Sequence, residues 1–268
     1  MREHAIGVFD SGVGGLTVAR EIMNQLPNEN IVYFGDTARV PYGSKSKETI
    51  ITFSKQIAEF LRTKNVKAIV IACNTASAFA LEALKKDMDI PVIGVIEPGA
   101  RTAAETTKNN KIGVIGTEGT VNSGIYTDYL REIKPEALVY SRACPLFCPL
   151  VEENWLYDSV TIEVADRYLS ELKGYGVDTL VLGCTHYPLL RHTIQKVMGD
   201  GVQLVNPAYE TALTLKRVLE EQGLEQQEWR KPEHEFYVSD GADKFRTFAN
   251  TILPCEVVET NAVNIEQY

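Results

Sequence analysis

Apolar and polar positions along the chain fall into short runs that alternate between two periods. His4–Asp10, Asn30–Asp36, Lys67–Ser77, Asp89–Ile96, Lys111–Gly116, Glu136–Ser141 and Asp178–Cys184 each carry a compact apolar stretch bounded by polar or glycine residues. Such runs predict buried parallel strands. Between them, Leu16–Ile22, Ser46–Lys64, Ser123–Glu132, Thr161–Leu172 and Tyr209–Glu221 recur at helical spacing; Ile50, Phe53, Ile57, Phe60 and Leu61 mark one face of the second. Late strands are expected at His234–Asp240 and Cys255–Glu259, around a helix over Asp243–Leu253. Alternating strands and helices predict parallel sheets with right-handed crossovers.

The pattern repeats. Lys111-Ile-Gly-Val-Ile-Gly-Thr117 echoes Ala5-Ile-Gly-Val-Phe-Asp-Ser11, so Gly116 and Thr117 stand where Asp10 and Ser11 stand. Ala68-Ile-Val-Ile-Ala-Cys73-Asn-Thr is likewise echoed by Thr179-Leu-Val-Leu-Gly-Cys184-Thr-His. The expected fold class is therefore α/β, with two similar parallel-sheet domains and a cleft between them. Each half delivers a cysteine at the carboxyl end of a strand, where open α/β sheets bind ligands.

Bulk properties narrow the function. With 268 residues, the chain can bury one large or two medium cores. A net charge of −9 argues against nucleic acid as the main partner, because phosphate binding needs a basic face. Five cysteines, odd in number and widely spaced, do not make a disulfide framework and point to a reducing compartment. No secretory leader and no run of membrane-spanning length is read, so a cytoplasmic location and no membrane partner are expected. Gly12-x-Gly14-Gly15 lacks the third glycine of the dinucleotide fingerprint, and reads more simply as a tight strand-to-helix turn. Cys144-x-x-x-Cys148 lacks a second ligand pair at sensible spacing, so no metal is expected.

Two thiols at equivalent points of a repeat suit one chemistry above others. A racemase or epimerase removes a proton from one face of a carbon and returns one to the other. A thiolate and a thiol on opposite sides do this and exchange roles in reverse; a free cysteine pKa of about 8.5 makes both forms accessible near neutrality. Alone, Cys73 or Cys184 would more often be a small buried apolar residue. Asp10 would more simply cap the following helix, and Glu152 and Glu153 would be solvated loop residues. His186, beside Cys184, is a candidate proton shuttle or thiolate partner. Asp10 and Asp36 end strands expected beside the first cysteine. Ser11, Asn74, Thr75, Thr117, Thr120 and Thr185 suit a substrate carboxylate and ammonium.

In order along the chain, Gly7–Thr17, Tyr33–Thr37 with Pro41-Tyr42-Gly43, Ala72–Ser77, Gly94–Gly99, Ala143–Phe147 and Leu182–Pro188 resemble the glutamate racemase family. The resemblance covers most of the chain to about Ala212. It implies a cofactor-independent isomerase that interconverts L- and D-glutamate and supplies the D-enantiomer for peptidoglycan. It implies two domains related by a pseudo-twofold axis, residues 1–97 with 207–268 and residues 98–206, with the active site in the cleft. Cys73 would be the base for the D-enantiomer and Cys184 for the L-enantiomer. Asp10 would assist Cys73; Glu152 and His186 would assist Cys184; Asp36 is a lesser candidate. Spacing does not separate Glu152 from Glu153, and Glu152 is favoured. Substrate would be held by Asp10, Ser11, Tyr42, Gly43, Asn74 and Thr75, and by Thr117, Thr120, Thr185 and His186. A homodimer is implied as well, the symmetric pair being the commonest assembly. Cys148 stands where an aliphatic residue is expected in many relatives. The competing readings are the same chemistry on aspartate or a hydantoin, a non-reacting amino-acid binder, and a cysteine hydrolase in which the second thiol has no role.

Overall fold

The computed structural model describes residues 2–268. It divides into two compact units, one made of the residues up to Val95 with Ala208–Tyr268, the other of Ile96–Pro207.

The first unit begins with β1 (Ile6–Asp10), α1 (Leu16–Gln25), β2 (Ile31–Gly35), α2 (Lys47–Thr63), β3 (Ala68–Ile71), α3 (Asn74–Asp87) and β4 (Val92–Gly94). Every residue of β1, β2 and β3 is buried, as continuous apolar runs require when helices cover both faces. Helix α2 starts where Ser46 accepts from the Thr49 N–H at 3.2 Å, a side-chain cap for an orphan donor. It buries Ile50, Ile57, Phe60 and Leu61 against Phe9, Phe34, Ile69 and Ile71 of the sheet in one core cluster.

The second unit holds α4 (Ile96–Thr106), β5 (Lys111–Gly116), α5 (Glu118–Asn122), α6 (Ile125–Ile133), β6 (Leu138–Ala143), α7 (Phe147–Glu152), α8 (Ser159–Gly174), β7 (Thr179–Gly183), α9 (Arg191–Met198) and β8 (Gln203–Val205). The chain then completes the first unit with α10 (Pro207–Glu221), whose first residue still belongs to the second unit, β9 (Glu235–Val238), α11 (Ala242–Ile252) and β10 (Asn261–Ala262).

Among the described residues, the first sheet has the order β10-β9-β2-β1-β3-β4 and the second β6-β5-β7-β8. Every pairing is parallel. The stretch β2-β1-β3-β4 has the same order as the whole second sheet, so the sequence repeat is a repeat of topology. In each unit the cysteine-bearing strand lies beside the central strand: β3 pairs β1 with Phe9 opposite Ile71, and β7 pairs β5 with Gly116 opposite Gly183.

Three elements differ from the sequence expectation. Glu97-Pro98-Gly99 reads as a strand end, yet it lies in the first turn of α4. Proline there forgoes an N–H that has no intrahelical acceptor anyway, so a turn signal and a helix start look alike in sequence. Arg142–Pro149 reads as an irregular loop, but Phe147–Glu152 forms the short helix α7. Cys255–Glu259 reads as a strand; it is irregular, and Asn261–Ala262 pairs with β9 instead.

A buried ion pair ties the first unit together away from the thiol. Lys67, at the start of the β3 ladder, contacts Glu29 at 2.5 Å with both side chains essentially excluded from solvent. Its ammonium also donates to the carbonyls of Arg2 at 2.7 Å and Leu224 at 2.9 Å. Burial lowers the Lys67 pKa from its ordinary value.

Candidate active site

In the first unit the candidate residues gather at the carboxyl ends of β1, β2 and β3. The ladder runs one residue past β3, since the Ala72 N–H donates to the Phe9 carbonyl at 2.8 Å, and Cys73 follows. Cys73 is buried and serves as the N-cap of the 14-residue α3. Its sulfur accepts from the Ala76 N–H at 3.5 Å. A helix N-terminus presents positive potential and orphan donors, which favour negative charge on that sulfur. Asn74 and Thr75 form the first turn of the same helix, both buried.

Asp10 ends β1 fully buried, and its carboxylate accepts from the Gly12 N–H at 2.9 Å. The glycine-rich turn after it is required by close approach. A Cβ on Gly15 would stand 2.4 Å from the Asp10 Cβ and 2.8 Å from the Tyr33 hydroxyl oxygen. Tyr33 donates to the Gly12 carbonyl at 2.9 Å and holds the turn from beneath. Ser11 is half-buried on it. Burial, with Asp10 and Cys73 adding to it, pushes the Tyr33 pKa well above its ordinary value, so Tyr33 is a neutral donor.

Asp36 follows β2, which pairs with β1 and not with β3, and Tyr42 interacts with both Asp36 and Cys73. Asp36 accepts from Arg39 Nε at 2.7 Å, from the Ser239 hydroxyl at 2.9 Å and from the Tyr42 hydroxyl. Fully engaged in this way, it orients Tyr42. Tyr42 is buried, and Gly43 adjoins it in the short 3-10 turn Tyr42–Ser44. Burial, Asp36 and Cys73 raise the Tyr42 pKa, with burial the largest cause.

In the second unit Cys184 follows β7 directly and Thr117 follows β5 directly. Thr117 caps α5 by accepting from the Thr120 N–H at 3.2 Å, and the two threonine hydroxyls lie 3.1 Å apart. Thr120 and Thr185 are buried. Cys184 is followed, after Thr185 and the N-cap His186, by the short 3-10 turn Tyr187–Leu190, where Cys73 is followed directly by a long helix. A side-chain chain supplies what the helix supplies to Cys73. The Cys184 sulfur lies 3.8 Å from His186 Nδ1, and His186 Nε2 lies 3.1 Å from a Glu152 oxygen. Glu152 stands where a carboxylate accepts from an imidazole N–H, and the His186 contact on the other side of the ring favours the thiolate form of Cys184. Glu152 and Glu153 are both exposed at the end of α7, where Glu153 is the C-cap; the contact to His186 is made by Glu152.

Cys148 is the group whose role the sequence did not indicate. Its sulfur lies 3.6 Å from that of Cys184, across 36 residues of chain. The Cys148 contact is the largest influence raising the Cys184 pKa, burial comes next, and His186 acts in the opposite direction. The net shift is upward. Cys144 instead turns toward the Arg142 carbonyl at 3.7 Å, and burial raises its thiol pKa. Cys148 has Cys184 and His186 as neighbours, and Cys144 is not among them. A lone departure from an aliphatic position was the one hint.

These features define an α/β protein built from a repeated parallel-sheet unit, each copy delivering a buried thiol at a strand end with its own polar partners. The Asp/Glu/hydantoin racemase family model matches residues 6–214, and the chain belongs to that family, an isomerase of the racemase class. The glutamate racemase of Geobacter metallireducens is 50% identical over 262 residues, 98% of this chain and 97% of its own. Among solved structures, a glutamate racemase from Bacillus anthracis superposes with a TM-score of 0.95 at 42% identity over 98% of both chains. One from Francisella tularensis in complex with D-glutamate gives 0.93 at 40% identity over 100% of both.

Proposed function

We propose that the chain interconverts L- and D-glutamate by proton transfer at Cα without a cofactor, with Cys73 and Cys184 as the two acid–base groups. The observation that carries the reading is that both strand-end thiols have an apparatus able to accommodate a thiolate. One sits at the N-terminus of α3, the other in the Glu152–His186 chain. In one direction a thiolate takes the Cα proton while the opposing thiol gives its own; the reverse reaction exchanges the roles. The mechanism requires both sulfurs to reach one carbon from opposite faces. Cys73 takes the proton of the D-enantiomer and Cys184 that of the L-enantiomer. Asp10 assists Cys73, and His186 with Glu152 assists Cys184.

Glutamate as substrate is supported by the names of relatives near 50% identity and by the complex of the Francisella enzyme with D-glutamate. The carboxylates and ammonium would be met by Ser11, Tyr42, Gly43, Asn74 and Thr75 from the first unit, and by Thr117, Thr120 and Thr185 from the second. The D-glutamate formed would enter peptidoglycan synthesis, in the cytoplasm, from a homodimeric enzyme. Among the described residues no helix is long and apolar enough to cross a membrane.

The test is enantiopure L-glutamate in D2O with reduced protein and a chelator. Decay of the circular dichroism signal together with deuterium at Cα is expected. Cys73→Ala and Cys184→Ala should each reduce the rate by about 100-fold or more, the usual scale of a lost general acid or base. Either variant racemising at the parental rate would refute the two-thiol mechanism. Faster turnover of aspartate than of glutamate would refute the substrate.

A further inference from the structure

We propose that Cys148, Cys184 and His186 form a site for one soft or borderline metal ion, Zn2+ being the representative case. Their ligand atoms all lie within 4.8 Å of one another. The sulfur–sulfur distance is 3.6 Å and the Cys184 sulfur–Nδ1 distance is 3.8 Å. Ligands at about 2.3 Å for sulfur and about 2.0 Å for nitrogen on a tetrahedral ion stand about 3.5–3.8 Å apart; the two separations from the Cys184 sulfur lie near that range, and the one between Cys148 and His186, within 4.8 Å, closes as the ion binds. Two sulfurs and an imidazole favour Zn2+, Cd2+ or Cu+ over the oxygen-seeking Mg2+ and Ca2+.

The surroundings fit as well. A Glu152 oxygen lies 3.1 Å from the far nitrogen of His186, the place from which carboxylates accept behind metal-bound histidines; with the ion on Nδ1 that nitrogen carries the proton. All four residues belong to the second unit, on α7 and the turn after β7, so the site needs nothing from the first. On binding, each thiol releases its proton to solvent and each sulfur lone pair goes to the metal; the fourth position is left to water. A metal held there occupies the Cys184 sulfur. That this stops racemisation rests on the function proposed above, whereas binding itself does not.

The experiment titrates reduced, metal-free protein with Zn2+ against a chromophoric chelator, and separately with Co2+ as a spectroscopic probe. One ion per chain is expected, with thiolate-to-cobalt absorption in the near ultraviolet and the visible bands of tetrahedral cobalt. Losing an outer carboxylate commonly costs about 10–100-fold in affinity; Glu152→Gln should do so, and Cys148→Ala, which removes a ligand, should cost at least about 100-fold. Cys255→Ala, whose sulfur lies in the first unit 4.0 Å from that of Met23, should bind as the parent does. Absence of a one-to-one complex, or parental affinity in Cys148→Ala, would overturn the proposal whatever the racemase assay gives. Parental affinity there with loss in Cys255→Ala would point to capture by a different thiol and overturn it equally.

Discussion

Glu152→Gln isolates the electrostatic part of the Cys184 apparatus. The carboxamide keeps an oxygen where the carboxylate has one, so the 3.1 Å contact to His186 Nε2 can survive while the charge does not. A hydrogen bond to a charged group contributes about 1.5–3 kcal/mol when well enclosed. The Glu152 side chain is 40% exposed, so solvent screening reduces this to about 1–2 kcal/mol. That corresponds to roughly a 5- to 30-fold loss of rate. Because enantiomers are isoenergetic, the equilibrium constant is one and kcat/KM must fall equally in both directions. The side affected is therefore read from the thiols. Alkylation by iodoacetamide, followed by peptide mass spectrometry across pH, should be slower at Cys184 and unchanged at Cys73. Parental kcat/KM with unaltered Cys184 alkylation would refute the assistance assigned to Glu152. An equal change at Cys73 would refute its confinement to one thiol.

Further outcomes follow from the same contacts. Cys148→Ala removes the largest influence raising the Cys184 pKa, so Cys184 should ionise at lower pH, and its alkylation profile should move to lower pH; no movement would remove Cys148 as the cause. Gly15→Ala places a methyl group 2.4 Å from the Asp10 Cβ, so Asp10 must move; kcat/KM should drop by at least about tenfold while the fold persists, since small misplacements near the chemistry are costly. Lys67→Met leaves Glu29 buried without its cation and should destabilise by about 3–5 kcal/mol, with Lys67→Met/Glu29→Leu recovering most of the loss in denaturant titration. A double variant no more stable than the single one would mean that the Arg2 and Leu224 carbonyls, rather than Glu29, set the cost.

What the amino-acid order determines by itself is local or repeated. Fully buried strands appear as unbroken apolar runs, because a sheet covered on both faces has no polar side. The restart at Lys111 and the two Cys-bearing strand ends therefore disclose a duplicated α/β unit and its paired thiols. The apolar face of α2 is legible because its residues recur three and four apart. Tertiary structure alone decides the partners that lie far along the chain. It separates Glu152 from Glu153, since α7 turns only Glu152 toward His186, 34 residues on. It makes Asp36 the anchor of Tyr42, a contact the order of residues does not indicate. It brings Cys148 to Cys184 across 36 residues, which no periodicity records. Periodicity reports which face of an element is apolar; strand order and helix orientation decide which polar groups meet, and those depend on contacts that close only when the whole unit packs.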